Sequence, residues 1–228
     1  MLQSLRLALV TIAIFSTNVS AQEKAFARIA ARYEQVTEFL DKKQAPQRIE
    51  RLFFRDPNHV EFRSGDIGEV WERDGNGSLT LYKIAFGERA AIEYLPGDLR
   101  AMDNLPNWER LQSFIDPTTF AKLEPEAKTS VLARAANRYR TKTDRADTEI
   151  VWLTEEKLPG LIRSEYPEKI VTLRLLELST QDDSAFKPTS IQALQNFKLI
   201  EFSDIGDKET DPFVQRLSQI FGHGQGGH

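Results

Sequence analysis

Between residues 48 and 95 turn-forming residues cut the chain into five short apolar runs, at 48–54, 60–63, 68–73, 79–86 and 91–95. Runs this short suit strands rather than packed helices. Asp74-Gly75-Asn76-Gly77-Ser78 separates two of them, and Gly and Asn accept the positive φ that a tight hairpin turn demands. Gly87-Glu88-Arg89 predicts the next turn, so this half reads as an antiparallel meander. The pattern inside the runs narrows the fold further. A sheet with one wet face alternates apolar and polar residues, whereas Leu79-Thr80-Leu81-Tyr82-Lys83-Ile84-Ala85-Phe86 places apolar atoms on both sides. The runs at 149–153 and 173–178 behave alike. Either the second face is covered by the chain's own helices, or the sheet curls around an apolar cavity. The two are compatible, because helices can roof a cavity without filling it.

Helical signals flank the strands. Phe26, Ile29, Tyr33, Val36 and Leu40 recur at spacings of three and four, which predicts an amphipathic helix over 23–43 closed by Pro46. Residues 96–125 are broken by Pro96, Pro106, Pro117 and Pro125 into short helical pieces. Trp108, Leu111 and Ile115 form the stripe of the first and Phe120 with Leu123 that of the second. This segment reads as a lid or plug laid on the sheet. Strands resume at 131–141, 149–153, 161–166, 170–178 and 197–202. Asp211 as cap and Pro212 at the first helical position then open a last helix, with Phe213, Val214, Leu217, Ile220 and Phe221 on one side.

The amino-terminal segment bears on where such a fold operates. Arg6, the apolar core at 7–15 and the small residues Val19-Ser20-Ala21 read as a cleavable secretory signal, too short to span a bilayer. The organisation expected is a signal at 1–21, a single domain at 22–222 and a flexible tail at 223–228. No cysteine stands at the cleavage site to carry a lipid anchor, so the mature chain is expected to be periplasmic or secreted. The chain has 0 cysteines, so burial rather than disulfides must hold it together. A net charge of −4 with both signs interspersed argues against a nucleic-acid partner.

Catalytic signals are sparse. Of 3 histidines, His223 and His228 fall in the glycine-rich tail, and His59 follows Asp56-Pro57-Asn58 and reads as a solvated loop residue. The tail matches a dinucleotide-binding glycine pattern by letter only, since no helix follows it. Asp204, Asp207, Glu209 and Asp211 fail the calcium-loop template and read as a solvated loop ending in a helix cap. Asn76-Gly77-Ser78 fits a glycosylation sequon, but the turn demands the same residues. Neither a metal nor a cofactor is expected.

Leu52-Phe53-Phe54-Arg55-Asp56-Pro57-Asn58-His59-Val60-Glu61-Phe62, taken with the signal, the amphipathic segment and the meander, resembles the periplasmic outer-membrane lipoprotein carrier family, the LolA-like proteins. Arg55, Pro57, Asn58 and Phe62 occupy the family's strand-end arginine, Pro-Asn turn and strand-opening aromatic, and Trp152 with Leu158-Pro159 is similar to its later hairpin. Asp56 is an insertion in that pattern, and Trp71 precedes Asp74-Gly75 rather than following such a pair. The resemblance spans roughly residues 23–180. It implies an α+β fold: an unclosed antiparallel β-barrel, or half-barrel, whose concave face is covered by helices over a cavity for acyl chains. It also implies that Arg55 ties the lid to the sheet. The ligand-contacting residues expected on this basis are Arg55, Phe53, Phe62, Trp71, Tyr82, Trp108 and Trp152.

The function expected is a non-enzymatic carrier or binding protein for an acyl chain, a lipidated protein or another apolar ligand. Its partners would be lipids, lipidated proteins or membrane-associated proteins. An interaction or sensing module that docks a partner protein on the same half-barrel is the alternative. An enzyme built on Asp and Glu pairs is a third reading, disfavoured by the scarcity of histidine and cysteine.

Overall fold

The computed structural model describes residues 26–41, 43–103, 105–180 and 187–221. The signal at 1–21 and the tail at 223–228 lie outside the described residues.

Strand β1 (Ile29–Phe39) enters first, and a meander follows: β2 (Gln47–Arg55), β3 (His59–Ser64), β4 (Ile67–Arg73), β5 (Leu79–Ala85) and β6 (Ala90–Tyr94). The turns between them are those the sequence predicts. Asp74 Oδ1 accepts from the amides of Asn76 and Ser78, both at 2.8 Å, and Gly77 takes a φ of 83°. Three short helices come next, α1 (Pro96–Ala101), α2 (Trp108–Ser113) and α3 (Pro117–Phe120). The second half supplies β7 (Ala127–Val131), β8 (Arg134–Lys142), β9 (Asp147–Leu153), β10 (Leu158–Glu165) and β11 (Lys169–Ser179). The chain closes with α4 (Ile191–Leu194), β12 (Lys198–Glu201), two 3-10 turns and α5 (Pro212–Ile220). Asp211 caps α5 as expected, accepting from the Phe213 amide at 2.7 Å.

All strands join one sheet in the order β12-β6-β5-β4-β3-β2-β1-β11-β10-β9-β8-β7. Neighbours are antiparallel except β12, which runs parallel to β6. Because β12 and β7 end the sheet without pairing to each other among the described residues, the sheet is an unclosed half-barrel with helices against it, as the sequence predicts. It curls at the β7 end. Gly160 on β10 faces the Val131 side chain from β7, close enough that a Cβ there would sit 2.9 Å from Val131 Cγ2. In hydrogen-bonding order β7 and β10 are separated by β8 and β9.

Two sequence expectations are corrected. Residues 29–39 form a strand, not a helix, wedged between β2 and β11. The stripe that suggested a helix shares Ile29 and Tyr33 with a period of two, and Ala31 completes the buried row. The alternate residues carry cross-strand charges, with Arg32 on Glu50 at 3.4 Å and on Glu177 at 3.2 Å, and Arg48 on Glu34 at 3.1 Å. Ladder bonding on both sides decides the conformation over the chain's weak local preference. The strand expected at 131–141 starts at Arg134, as β8, and Val131 instead ends a preceding strand, β7. They meet at a turn where Leu132 and Ala133 take φ values of 50° and 60° without the glycine or asparagine that usually marks one.

Both sheet faces are covered, which accounts for the apolar residues on both. The inner face carries the largest cluster, including Ile29, Tyr33, Phe53, Val60, Trp71, Leu81 and Leu153, with α2 and α5 packed on it through Leu111, Val214 and Leu217. On the outer face Val70, Tyr82, Ile84 and Ala91 meet Leu194 of α4. A second outer patch, Tyr139, Ile150 and Trp152, lies under Phe120 of α3.

Candidate functional site

Arg55, at the end of β2, is among the largest fully buried side chains, 1% exposed. Its partners are backbone carbonyls drawn from three separate parts of the chain. Nη1 donates to Gln112 O at 2.5 Å and to Lys157 O at 3.3 Å, Nη2 donates to Glu156 O, and Nε donates to Ala27 O at 3.3 Å. The guanidinium also lies 4.7 Å from the Phe26 ring centroid. Burial lowers it to about 10 while nearby Tyr33 and Glu156 oppose the shift, and at that value, far above neutrality, the cation persists. Gln112 is 2% exposed and returns a bond, its Nε2 donating to Asp56 O at 2.8 Å. The carboxyl end of α2 is thus tied twice to the β2–β3 turn. A third element joins through Glu156, whose carboxylate accepts from Arg134 Nη1 at 2.5 Å while its other oxygen has no partner among the described residues. The expectation that Arg55 is well placed to tie the lid segment to the sheet therefore has a geometry. At 1% exposed, Arg55 is not a strand-end charge reaching water.

One step further into the molecule α2 ends at Phe114, which adopts a left-handed conformation with φ 68°. That places its ring against Tyr33, Phe53 and Phe62 at centroid distances of 5.3, 4.7 and 5.4 Å, and Phe53 and Phe62 are 5.3 Å apart across the β2–β3 pairing. These four aromatics wall a cavity of about 490 Å³ together with Leu173 and Ile67, and Gln35, Arg51, Ser64 and Glu69 add polar groups. Arg51 Nε donates to Gln35 Oε1 at 2.8 Å. The volume falls within the range usual for small-molecule sites. Tyr33 anchors the wall by donating its hydroxyl to Pro159 O at 3.1 Å, and burial pushes its phenol up, so it stays protonated. A second cavity of about 430 Å³ shares Phe62 and Phe114 in its wall and is otherwise bounded by Asp103, Leu105, Pro106, Arg110 and Leu111.

Strand parity sorts the residues singled out from the sequence. Phe53 and Phe62 line the cavity, and Arg55 sits beside it as the strut for α2. Trp71 is on the same face but buried in the core, 5% exposed, and its indole N–H has no partner among the described residues. Trp108 rests on that core beneath Arg73, 5.9 Å from its ring centroid. Tyr82 and Trp152 lie on the outer face, because their strand neighbours Leu81, Val151 and Leu153 take the inner one. They are thereby excluded from the inner cavity. Tyr33, Gln112, Phe114 and Glu156 were not foreseen. Phe114 carries a weak signal, a bulky residue two positions before the Asp116-Pro117 helix start, where the chain must change direction.

His59 is corrected as well. It opens β3 and is 8% exposed, with Nδ1 2.5 Å from Glu72 and Nε2 3.7 Å from Glu61. Burial alone would lower its pKa, but the two carboxylates outweigh it and raise the imidazole to about 9. Glu61, fully buried, accepts from Arg63 Nη2 at 2.6 Å, from the Thr189 amide at 2.6 Å and from its hydroxyl at 3.0 Å. Burial opposes its ionisation, but these bonds and His59 hold it below the usual carboxylate range. The network pins the segment before α4 to the outer face.

Solved structures similar to this chain include LolA superfamily proteins. With the crystal structure of the LolA superfamily protein NE2245 from Nitrosomonas europaea it shares 10% identity over 68% of this chain and 87% of that one, with a TM-score of 0.34. With the complex structure of Pseudomonas aeruginosa MucA/MucB the identity is 12% over 76% of this chain and 58% of that one, with a TM-score of 0.38. With PNGF-II the values are 11%, 81% and 34%, with a TM-score of 0.42, so the chain spans about a third of that protein. No family model and no curated protein matches the chain.

Proposed function

We propose that this protein is an extracytoplasmic, non-enzymatic carrier that holds an acyl chain, free or attached to a protein, in the inner aromatic cavity. The observation that carries this reading is the 490 Å³ space walled by Tyr33, Phe53, Phe62 and Phe114, the last of these capping a helix tied down through a backbone carbonyl. Burying an acyl chain there is driven by about 0.8 kcal/mol per methylene. Arg55 and Gln112 hold α2 with polar contacts that can break and re-form, whereas a wholly apolar roof would leave nothing directional to restore its seat. The extracytoplasmic placement rests on residues 1–21. No helix among the described residues is long and apolar enough to cross a membrane.

Native mass spectrometry of gently purified protein, followed by displacement of an environment-sensitive dye with fatty acid or lipidated peptide, tests the reading. A bound species of lipid mass and stoichiometric, saturable displacement are expected. A folded protein that takes up neither dye nor lipid overturns the carrier, and the cavity then belongs to a surface that docks a partner protein.

A further inference from the structure

We propose that Phe114 is a partition that sets the length of acyl chain the cavity accepts. The inference rests on the acyl-carrier reading above and deepens it. Three observations converge on this residue. Phe114 and Phe62 are the two side chains shared by the walls of both cavities, so they stand between a space of about 490 Å³ and another of about 430 Å³. Phe62 is fixed from below by β3, which leaves Phe114 as the half of the partition supplied by the roof. Phe114 also holds its place at a φ of 68°, a conformation that bulky L-residues adopt at a cost. Its ring packs at 4.7 to 5.4 Å from three other aromatic rings, which is what keeps it there. That conformation turns the ring into the wall the two cavities share.

Size sets the consequence. A methylene occupies about the 30 Å³ of a water molecule in the liquid, so the first cavity holds roughly a dozen to sixteen carbons. A longer chain meets Phe114. The second cavity is walled by Leu105, Pro106 and Leu111 together with Asp103 and Arg110, so removing the ring joins the first cavity to a space of mixed lining whose apolar side a longer chain can follow. The occupant is therefore a single unbranched chain threaded end-on, its methyl end stopping at Phe114.

The test measures affinity for a series of saturated fatty acids and the matching fatty alcohols, from eight to twenty carbons, in the parent, in Phe114→Ala and in Phe114→Leu. In the parent, affinity is expected to rise about fourfold per added methylene and then level off. Phe114→Ala moves that plateau to longer chains by several carbons, and Phe114→Leu moves it by less. Where Phe114→Ala does not fold, Phe62→Leu trims the same partition from the sheet side and is expected to shift the plateau in the same direction. A plateau at the same length in parent and variants overturns the partition while leaving the carrier reading standing. Absence of chain binding to the parent overturns the carrier reading, and the partition with it.

Discussion

Arg55 shows what a single buried cation can do when its partners are main-chain carbonyls rather than carboxylates. Its hydrogen bonds go to main-chain oxygens of three elements: α2, the β9–β10 turn and the chain ahead of β1. Arg55→Leu keeps bulk but strands those carbonyls in a buried site, at about 1 to 3 kcal/mol for each unsatisfied group that water does not reach. The expected outcome is a loss of about 3 kcal/mol of stability, read as a fall of several degrees in Tm, together with faster release of a bound fatty acid in stopped-flow displacement. Unchanged Tm and release would show that α2 is held by its apolar contacts alone. His59 offers a separate, pH-dependent prediction. Its folded value of about 9 lies above the ordinary 6.5, so its contribution is complete below pH 6.5 and is lost as pH rises through 9. Each pKa unit is worth about 1.4 kcal/mol, so the loss amounts to up to about 3 kcal/mol. Melting curves between pH 6 and 10 are expected to slope downward for the parent, and His59→Gln, which cannot titrate, is expected to flatten them. The two sites also differ in legibility. The residues around Arg55 made its role readable through resemblance, whereas His59 looked solvated because the carboxylates that trap it come from β3 and β4 and the covering segment comes from Thr189, far along the chain.

At the scale of elements, local signals sufficed where a strand's neighbours follow it in sequence. The meander β2 to β6 was readable from turns and alternation because each strand pairs with the next. Strand β1 was not, since one of its partners, β11, lies at the other end of the domain and the apolar spacing of Ile29, Tyr33 and Val36 fits a helix equally well. The β7–β8 hairpin escaped for a different reason, its Leu132-Ala133 turn lacking the residues that announce one. That hairpin is also where the sheet's curl can be probed. Val131 fits against Gly160 because the glycine has no side chain, and a methyl placed there would meet the β-branched carbons at 2.9 Å and 3.1 Å. Val131 is stiff about χ1 and cannot simply swing away. Gly160→Ala is therefore expected to cost about 1 to 3 kcal/mol, the usual penalty of overpacking, with denaturation midpoint as the readout. Pairing it with Val131→Ala should restore most of the loss, and a failure of that double variant would place the strain in the backbone instead.

For the whole molecule, the point that matters is that one twelve-stranded sheet has both faces covered, with the aromatic cavity around Tyr33, Phe53 and Phe62 on the inner one. The outer clusters are covered by side chains from short helices and their flanks, Ile191, Leu194 and Phe197 against the patch around Tyr82, and Ile115, Leu123 and Phe120, the last 4.4 Å from Trp152, against the other. The inner cluster is roofed by helices that meet it at a few large rings, and the gaps between rings are the two cavities. The sequence could show that both faces were apolar but not which was filled, because that depends on where α2 comes to rest. Its position is set by Arg55 and Gln112, two polar residues that no hydrophobic pattern registers. This arrangement makes a prediction about energetics. A ligand that fills the inner cavity replaces empty space with contacts in the folded state alone, so it must stabilise the protein by mass action. At a free concentration one hundred times its Kd, a single-site ligand adds about 2.7 kcal/mol, or roughly 5 to 10 °C in Tm for a domain of this size. Dodecanoate titrated against the folded protein is expected to raise Tm in this concentration-dependent way. Amide exchange should slow in β2 and β3 and around Phe114, which wall the cavity, while the outer patches under α3 and α4 should be slowed only by the general rise in stability. Slowing confined to the outer patches would place the ligand on the other face, and the inner cavity would then be a packing defect rather than a binding site.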